Sequence, residues 1–150
     1  MAMTTFKELC QGLCQVPGIA VTESSDDEQG GLAIDVEVHG VRVALSHGPR
    51  TGLHRALMIA TFGQLPAGRE SDACRTLLNI NRQVLSLGFA FGRNPATGEI
   101  VLKQNYSFDQ ATAEGLHKRI ATMADCVNHW RRHHFLAEGA QGAVGHAQSR

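Results

Sequence analysis

Histidines, cysteines and two asparagines set in an apolar run are the side chains of this 150-residue sequence that could do chemistry. His129 and His133 stand four apart with His134 beside them, a spacing that could hold a metal on one helix face. The same residues, with Arg131 and Arg132, also suit the C-terminal end of a helix, where cationic side chains meet the negative end of the dipole. That second reading is the expected one, and no metal site is expected. His39 and His47 read as turn and edge residues of a hairpin, and His117 as surface. Ser46, His47 and Asp72 are the ingredients of a triad, yet nothing in their spacing brings a base to a nucleophile. Neither GxGxxG nor GxxxxGK[ST] occurs, and neither does GxSxG or HExxH. No catalytic residue and no cofactor is expected, so the sequence does not read as an enzyme.

The four cysteines, Cys10, Cys14, Cys74 and Cys126, form no CxxC pair and read as reduced thiols in the core. Asn79 and Asn81 are amides inside Leu77-Leu78-Asn79-Ile80-Asn81. The expectation for Asn81 is a hydrogen bond to a neighbouring segment or to its own mate across an interface, where a buried polar group fixes register.

Composition narrows the classes further. Lys plus Arg and Asp plus Glu number 14 each, for a formal net charge of zero. That balance argues against nucleic acid, whose recognition rests on surplus cations. No apolar run reaches the roughly 18 residues of a membrane span, and Met1 to Thr5 lacks the features of a signal peptide. A cytosolic protein follows as the expectation, with an acidic patch at Asp26-Asp27-Glu28 and a basic one at Arg131-Arg132-His133-His134.

The elements that position these residues can be taken in order. Thr5 and Glu8 make a capping box, and behind it Phe6, Leu9, Cys10, Leu13 and Cys14 fall at helical spacing up to Pro17-Gly18. Residues 22–31 are polar and read as a loop. Leu32 to Val38 and Val41 to Ser46 alternate around His39-Gly40, predicting a tight hairpin. Arg55 to Phe62 is nearly all apolar and predicts a deeper strand. A helix is predicted over 69–87, stopped by Gly88. Its apolar residues fall in two rows, one of Cys74, Leu77, Leu78, Asn81 and Leu85, the other of Ala73, Leu77, Ile80, Val84 and Leu87. A monomer's surface helix needs only one stripe, so one row is expected to face the sheet and the other, with Asn81 near its centre, a second copy of the chain. A second hairpin is predicted from Phe89 to Tyr106 about Asn94 to Gly98. Asp109 is a plausible N-cap for a last helix whose seam is Leu116, Ile120, Met123, Val127, Trp130 and His134. Residues 1–136 are expected to form one α+β domain, ordered α-β-β-β-α-β-β-α, with helices packed on a twisted antiparallel sheet. From Ala137 the chain is Gly, Ala, Gln and Ser, and 137–150 is expected to be a disordered tail.

The order of these elements, with Leu65-Pro66, the run Leu77 to Asn81, the hairpin Phe89 to Tyr106 and the last helix to Trp130, resembles the class I type III secretion chaperones, the Tir chaperone family. The likeness covers about residues 5–135. It implies a bacterial, cytoplasmic, ATP-independent homodimer that holds the N-terminal chaperone-binding region of a secreted effector in extended form. It further implies a dimer interface through Leu77, Leu78, Asn81, Val84, Leu85 and Phe89. Effector contacts are implied at Phe6, Leu9, Leu13, Val36, Val38, Val43, Leu57 and Ile59, with an effector strand added to a sheet edge. The near-neutral charge departs from the usually acidic family. The alternative is an α+β regulatory or sensor domain that binds a folded protein, and a third possibility is a metal-dependent or hydrolytic enzyme using His129 and His133.

Overall fold

The computed structural model describes residues 5–26 and 31–136. Helix α1 (Phe6–Leu13) starts where expected: Thr5 is extended and its Oγ1 accepts the amide of Glu8 at 3.1 Å. Phe6, Leu9, Cys10 and Leu13 all lie buried on one face.

Residues read as a loop instead form a strand. β1 (Ala20–Asp26) pairs antiparallel with β2 (Leu32–Val38), from Ala20 opposite Glu37 to Asp26 opposite Leu32. The chain order is therefore helix, four strands, helix, two strands, helix. β1 escaped notice because it is an edge strand. Its polar composition lacks the alternation that a half-buried strand shows, and main-chain pairing with β2 holds it. Thr22 adds a bond from its Oγ1 to the Asp35 carbonyl, 3.2 Å. The acidic residues Asp27 and Glu28 lie outside the described residues, as does the tail 137–150.

β2 turns into β3 (Val41–His47) through His39 and Gly40, with φ of 54° and 76°. Two positive φ values in succession give the type I′ turn that matches strand twist. β4 (Arg55–Gly63), β5 (Phe89–Arg93) and β6 (Ile100–Ser107) complete a six-stranded antiparallel sheet in the order β1-β2-β3-β4-β6-β5. Helix α2 (Glu70–Val84) runs on as a 3₁₀ turn, Leu85–Leu87, and stops at Gly88 with φ 87°. For α3 (Ala113–His133) the N-cap is Thr112, not Asp109: the Thr112 Oγ1 accepts the Gly115 amide at 3.0 Å. His134, the expected end of the seam, is the left-handed C-cap.

α1 and α3 cover one face of the sheet. Val36, Val38, Val43, Leu45, Met58 and Phe62 point into that layer with zero to 1% exposure. Trp130 closes it at one end, its ring edge-on to Phe62 at 5.6 Å. The end of α3 is tied down by Arg131, which donates to the carbonyls of Phe62 (2.9 Å), Thr61 (3.2 Å) and Gly40 (3.3 Å). Among the described residues no helix crosses the opposite face. α2 lies instead beside the edge strand β5, away from the main layer.

Candidate partner-binding surfaces

The sequence-level site residues separate into two environments. Phe6, Leu9, Leu13, Val36, Val38 and Val43 are 3% exposed or less. They are the contact layer between α1, α3 and the sheet, and a partner could reach them only by opening the core. The expectation that they form an effector surface does not fit this placement: helical and alternating spacing marks an apolar face and does not say what covers it. Leu57 and Ile59 alternate with buried Ala56, Met58 and Ala60, so they project onto the uncovered face, half-exposed. Ile59 stands between Ala44 on one side and Lys103 on the other, and Ala90 follows across β5.

The residues expected at a dimer interface divide as well. Leu77 is core, 4% exposed. Leu78 and Leu85 are 66% and 59% exposed. Leu85 and Leu57 together line a depression of about 260 Å³, so two residues assigned separate roles in sequence share one surface. On the other flank of β5, Leu78 lines a smaller hollow with Leu77, Asn81 and Gly92, about 190 Å³.

Asn81 does something the sequence left open. Its Oδ1 accepts the Phe91 amide, and its Nδ2 donates to the Phe91 carbonyl at 3.1 Å. Phe91 sits in β5, whose other edge pairs with β6. The side-chain amide therefore takes the place of a missing strand, satisfying both polar groups of an edge residue and blocking further pairing there. Asn81 thus bonds within its own chain. Asn79 is exposed.

Between α2, β5 and α3 lies a third feature, a groove of about 400 Å³ walled by Ile80, Val84, Phe89, Phe91, Met123 and Phe135. Val84 and Phe89, assigned to the dimer interface, are here. Ile80, Val84 and Leu87 come from the row expected to face the sheet. Its N-terminal part, Ala73 and Leu77, is buried, but the later residues only line the groove. Cys126 is on the wall too, and burial pushes its thiol pKa up. Among the described residues Arg119 is the one charged residue on the lining, and it lies near enough to Tyr106 to pull that phenol's pKa down against the larger upward effect of burial.

The histidines among the described residues do not assemble a centre. His129 and His133 pack edge to face at 4.4 Å between ring centroids. Asp125 precedes them by a turn but faces His39, 3.5 Å away. Burial, and then the neighbouring His133, lower the His134 pKa. The His47 Nδ1 lies 2.7 Å from the Arg55 carbonyl, and His117 is half-buried rather than surface. No group of three or more His, Cys, Asp or Glu able to hold a metal occurs among the described residues. The cysteines are free, with Cys10 buried, Cys74 and Cys126 half-buried and Cys14 exposed, which corrects the expectation of four core thiols. No helix among the described residues is long and apolar enough to cross a membrane.

Comparison with known proteins agrees with this architecture. Residues 21–131 match the Tir chaperone protein (CesT) family. Among solved structures, a chain of the crystal structure of the ExsC–ExsE complex is similar in fold, with a TM-score of 0.61 and 24% identity over 89% of this chain and 96% of that one. Among curated proteins, nothing matches.

Proposed function

Because the chain belongs to the Tir chaperone protein (CesT) family of type III secretion chaperones, we propose that it works as an ATP-independent homodimer holding the N-terminal chaperone-binding region of a secreted effector in extended form. The observation that carries this reading is the exposed apolar surface of α2, where Leu78 and Leu85 stand 66% and 59% exposed beside the uncovered sheet face of Leu57 and Ile59. Burying a leucine side chain is worth about 1.5–3 kcal/mol before the costs of association, so these positions favour a second copy. With Phe6, Leu9 and Leu13 sealed in the core, the effector's route in this proposal runs along the main chain of β1. That strand has one neighbour, β2, and its other edge can accept an added strand.

Co-expression with the large secreted protein encoded nearest the chaperone tests the proposal. Removing that protein's N-terminal region should abolish co-purification. Hydrogen exchange on the partner separates the two binding readings. A held, extended segment exchanges its amides quickly except where it pairs with β1, whereas a regulatory domain gripping a folded protein leaves the protection of that fold intact throughout. A partner that stays fully protected, or that binds without its N-terminal region, overturns the chaperone reading.

A further inference from the structure

We propose that Phe135 is a latch on the groove between α2, β5 and α3: its ring closes one end of the groove, and a left-handed hinge at His134 and Phe135 can release it. The device stands apart from the chaperone reading above, whatever partner the protein carries.

The register of α3 shows why a hinge is needed. Arg119, Thr122, Met123 and Cys126 are the residues that this helix gives to the groove. At about 100° per residue they form one row, and on a continued helix Phe135 would stand on the order of half a turn away from it. The helix does not continue. His134 and Phe135 both take a φ of 57°, and the Leu136 amide donates to the His133 carbonyl at 2.9 Å. That reversal brings the Phe135 ring back to the groove wall. There its centroid lies 6.3 Å from that of Phe91 and 5.7 Å from that of His129. Phe91 in turn meets Phe62 edge-on at 5.2 Å, so the latch ends an aromatic line that begins at Trp130 in the core.

Left-handed backbone is costly for any residue with a Cβ, and for a bulky aromatic it is rare. Neither hinge position is glycine, so both carry the strain. The seated ring offsets it: Phe135 is half-buried and packs against the core, with apolar and aromatic contacts that a continued helix would forfeit. Two states therefore compete. In the closed state the strain is held and the ring is in place. In the open state α3 gains right-handed residues, the strain is released and the end of the groove is bare. Strain kept by the surrounding structure is characteristic of switch regions. Whatever fills that end of the groove replaces the lost contacts and gains the released strain in addition.

Cys126 supplies the readout, because it shares the groove wall with Phe135 and is half-buried. The test is its rate of alkylation by iodoacetamide in the full chain, followed by peptide mass spectrometry, with buried Cys10 as the internal control. Phe135→Ala should speed Cys126 about tenfold, the scale of a half-buried aromatic ring. Phe135→Leu keeps an apolar plug and should stay near the wild-type rate. His134→Gly and His134→Ala both delete the imidazole, but only glycine removes the left-handed penalty. Cys126 should therefore react about fivefold more slowly in His134→Gly than in His134→Ala. Equal Cys126 rates in wild type and Phe135→Ala overturn the proposal, and so do equal rates in the two His134 variants. A rise at Cys10 in step with Cys126 overturns it as well, since the whole fold would then be opening. If protection of Cys126 in wild type falls on dilution, the cover is a second copy and the latch is refuted.

Discussion

α1 and α2 carry the same written signature, apolar residues at steps of three and four, and the fold treats them in opposite ways. Every large apolar residue of α1 from Phe6 to Leu13 disappears under the sheet and α3. α2 is nearly twice as long, yet only Ala73 and Leu77 are buried, and Leu78, Leu85 and Leu87 remain 59–69% exposed. The difference is position. α1 packs inside the layer, where β2 and α3 close around it, while α2 is attached at the end of the sheet through β5. An amphipathic pattern states that a helix needs cover, and topology decides whether its own chain supplies it.

The sharpest way to break this contrast is to shorten one leucine on each helix. Leu9→Ala, at zero exposure, should cost about 2–5 kcal/mol, the transfer term plus a cavity. Chemical denaturation of Leu9→Ala and Leu78→Ala under monomeric conditions should show the second within about 0.5 kcal/mol of wild type. Comparable losses at both sites would show that α2 is packed within its own chain after all.

Asn81→Ala probes how α2 is attached. Removing the amide strands the Phe91 N–H and C=O, at a cost of about 1–3 kcal/mol. Hydrogen exchange should quicken at the Phe91 amide more than at its ladder-bonded neighbours Ala90 and Gly92.

Cys10 and Cys14 allow a pH comparison on one helix. Burial first, then the nearby Cys14, pushes the Cys10 thiol up from 9.0 to about 12. The folded state therefore keeps Cys10 neutral where the unfolded chain ionises it. Its contribution to stability is complete below pH 9 and is lost as pH rises from there towards 12, by at most about 1.4 kcal/mol per pH unit. Unfolding midpoints measured across that window should fall less steeply for Cys10→Ala than for wild type. In native protein, iodoacetamide should modify exposed Cys14 well before Cys10.

The smallest effect is at the α1 cap. Thr5→Ala removes the acceptor for the Glu8 amide and should lower stability by about 1 kcal/mol, read from the same denaturation curves.

How legible the molecule was in its sequence followed the kind of force at work. Repeating burial was readable: the α1 and α3 seams and the β2–β3 hairpin about His39-Gly40 are as spacing and turn chemistry indicated. β1 was not, because an edge strand is held by main-chain bonds that leave no trace in side-chain pattern. The α3 cap moved from Asp109 to Thr112 because several polar residues there could accept the first amides, and only geometry chooses among them. Leu78 and Leu85 lie exposed, as a helix with two apolar rows and cover for one of them would leave them. Phe6, Leu9, Leu13, Val36, Val38 and Val43 could not be told from core, because a core face and a binding face are written identically.

In the proposed homodimer the face of α2 marked by Leu78 and Leu85 is covered by a second copy. Multi-angle light scattering on wild type, Leu78→Asp and Leu85→Asp, with circular dichroism to confirm folding, tests it most directly. Wild type should run at twice the 16.2 kDa chain mass, and each variant at a single mass or as aggregate. Folded variants that remain at twice the mass, or wild-type protein that is monomeric, would contradict it.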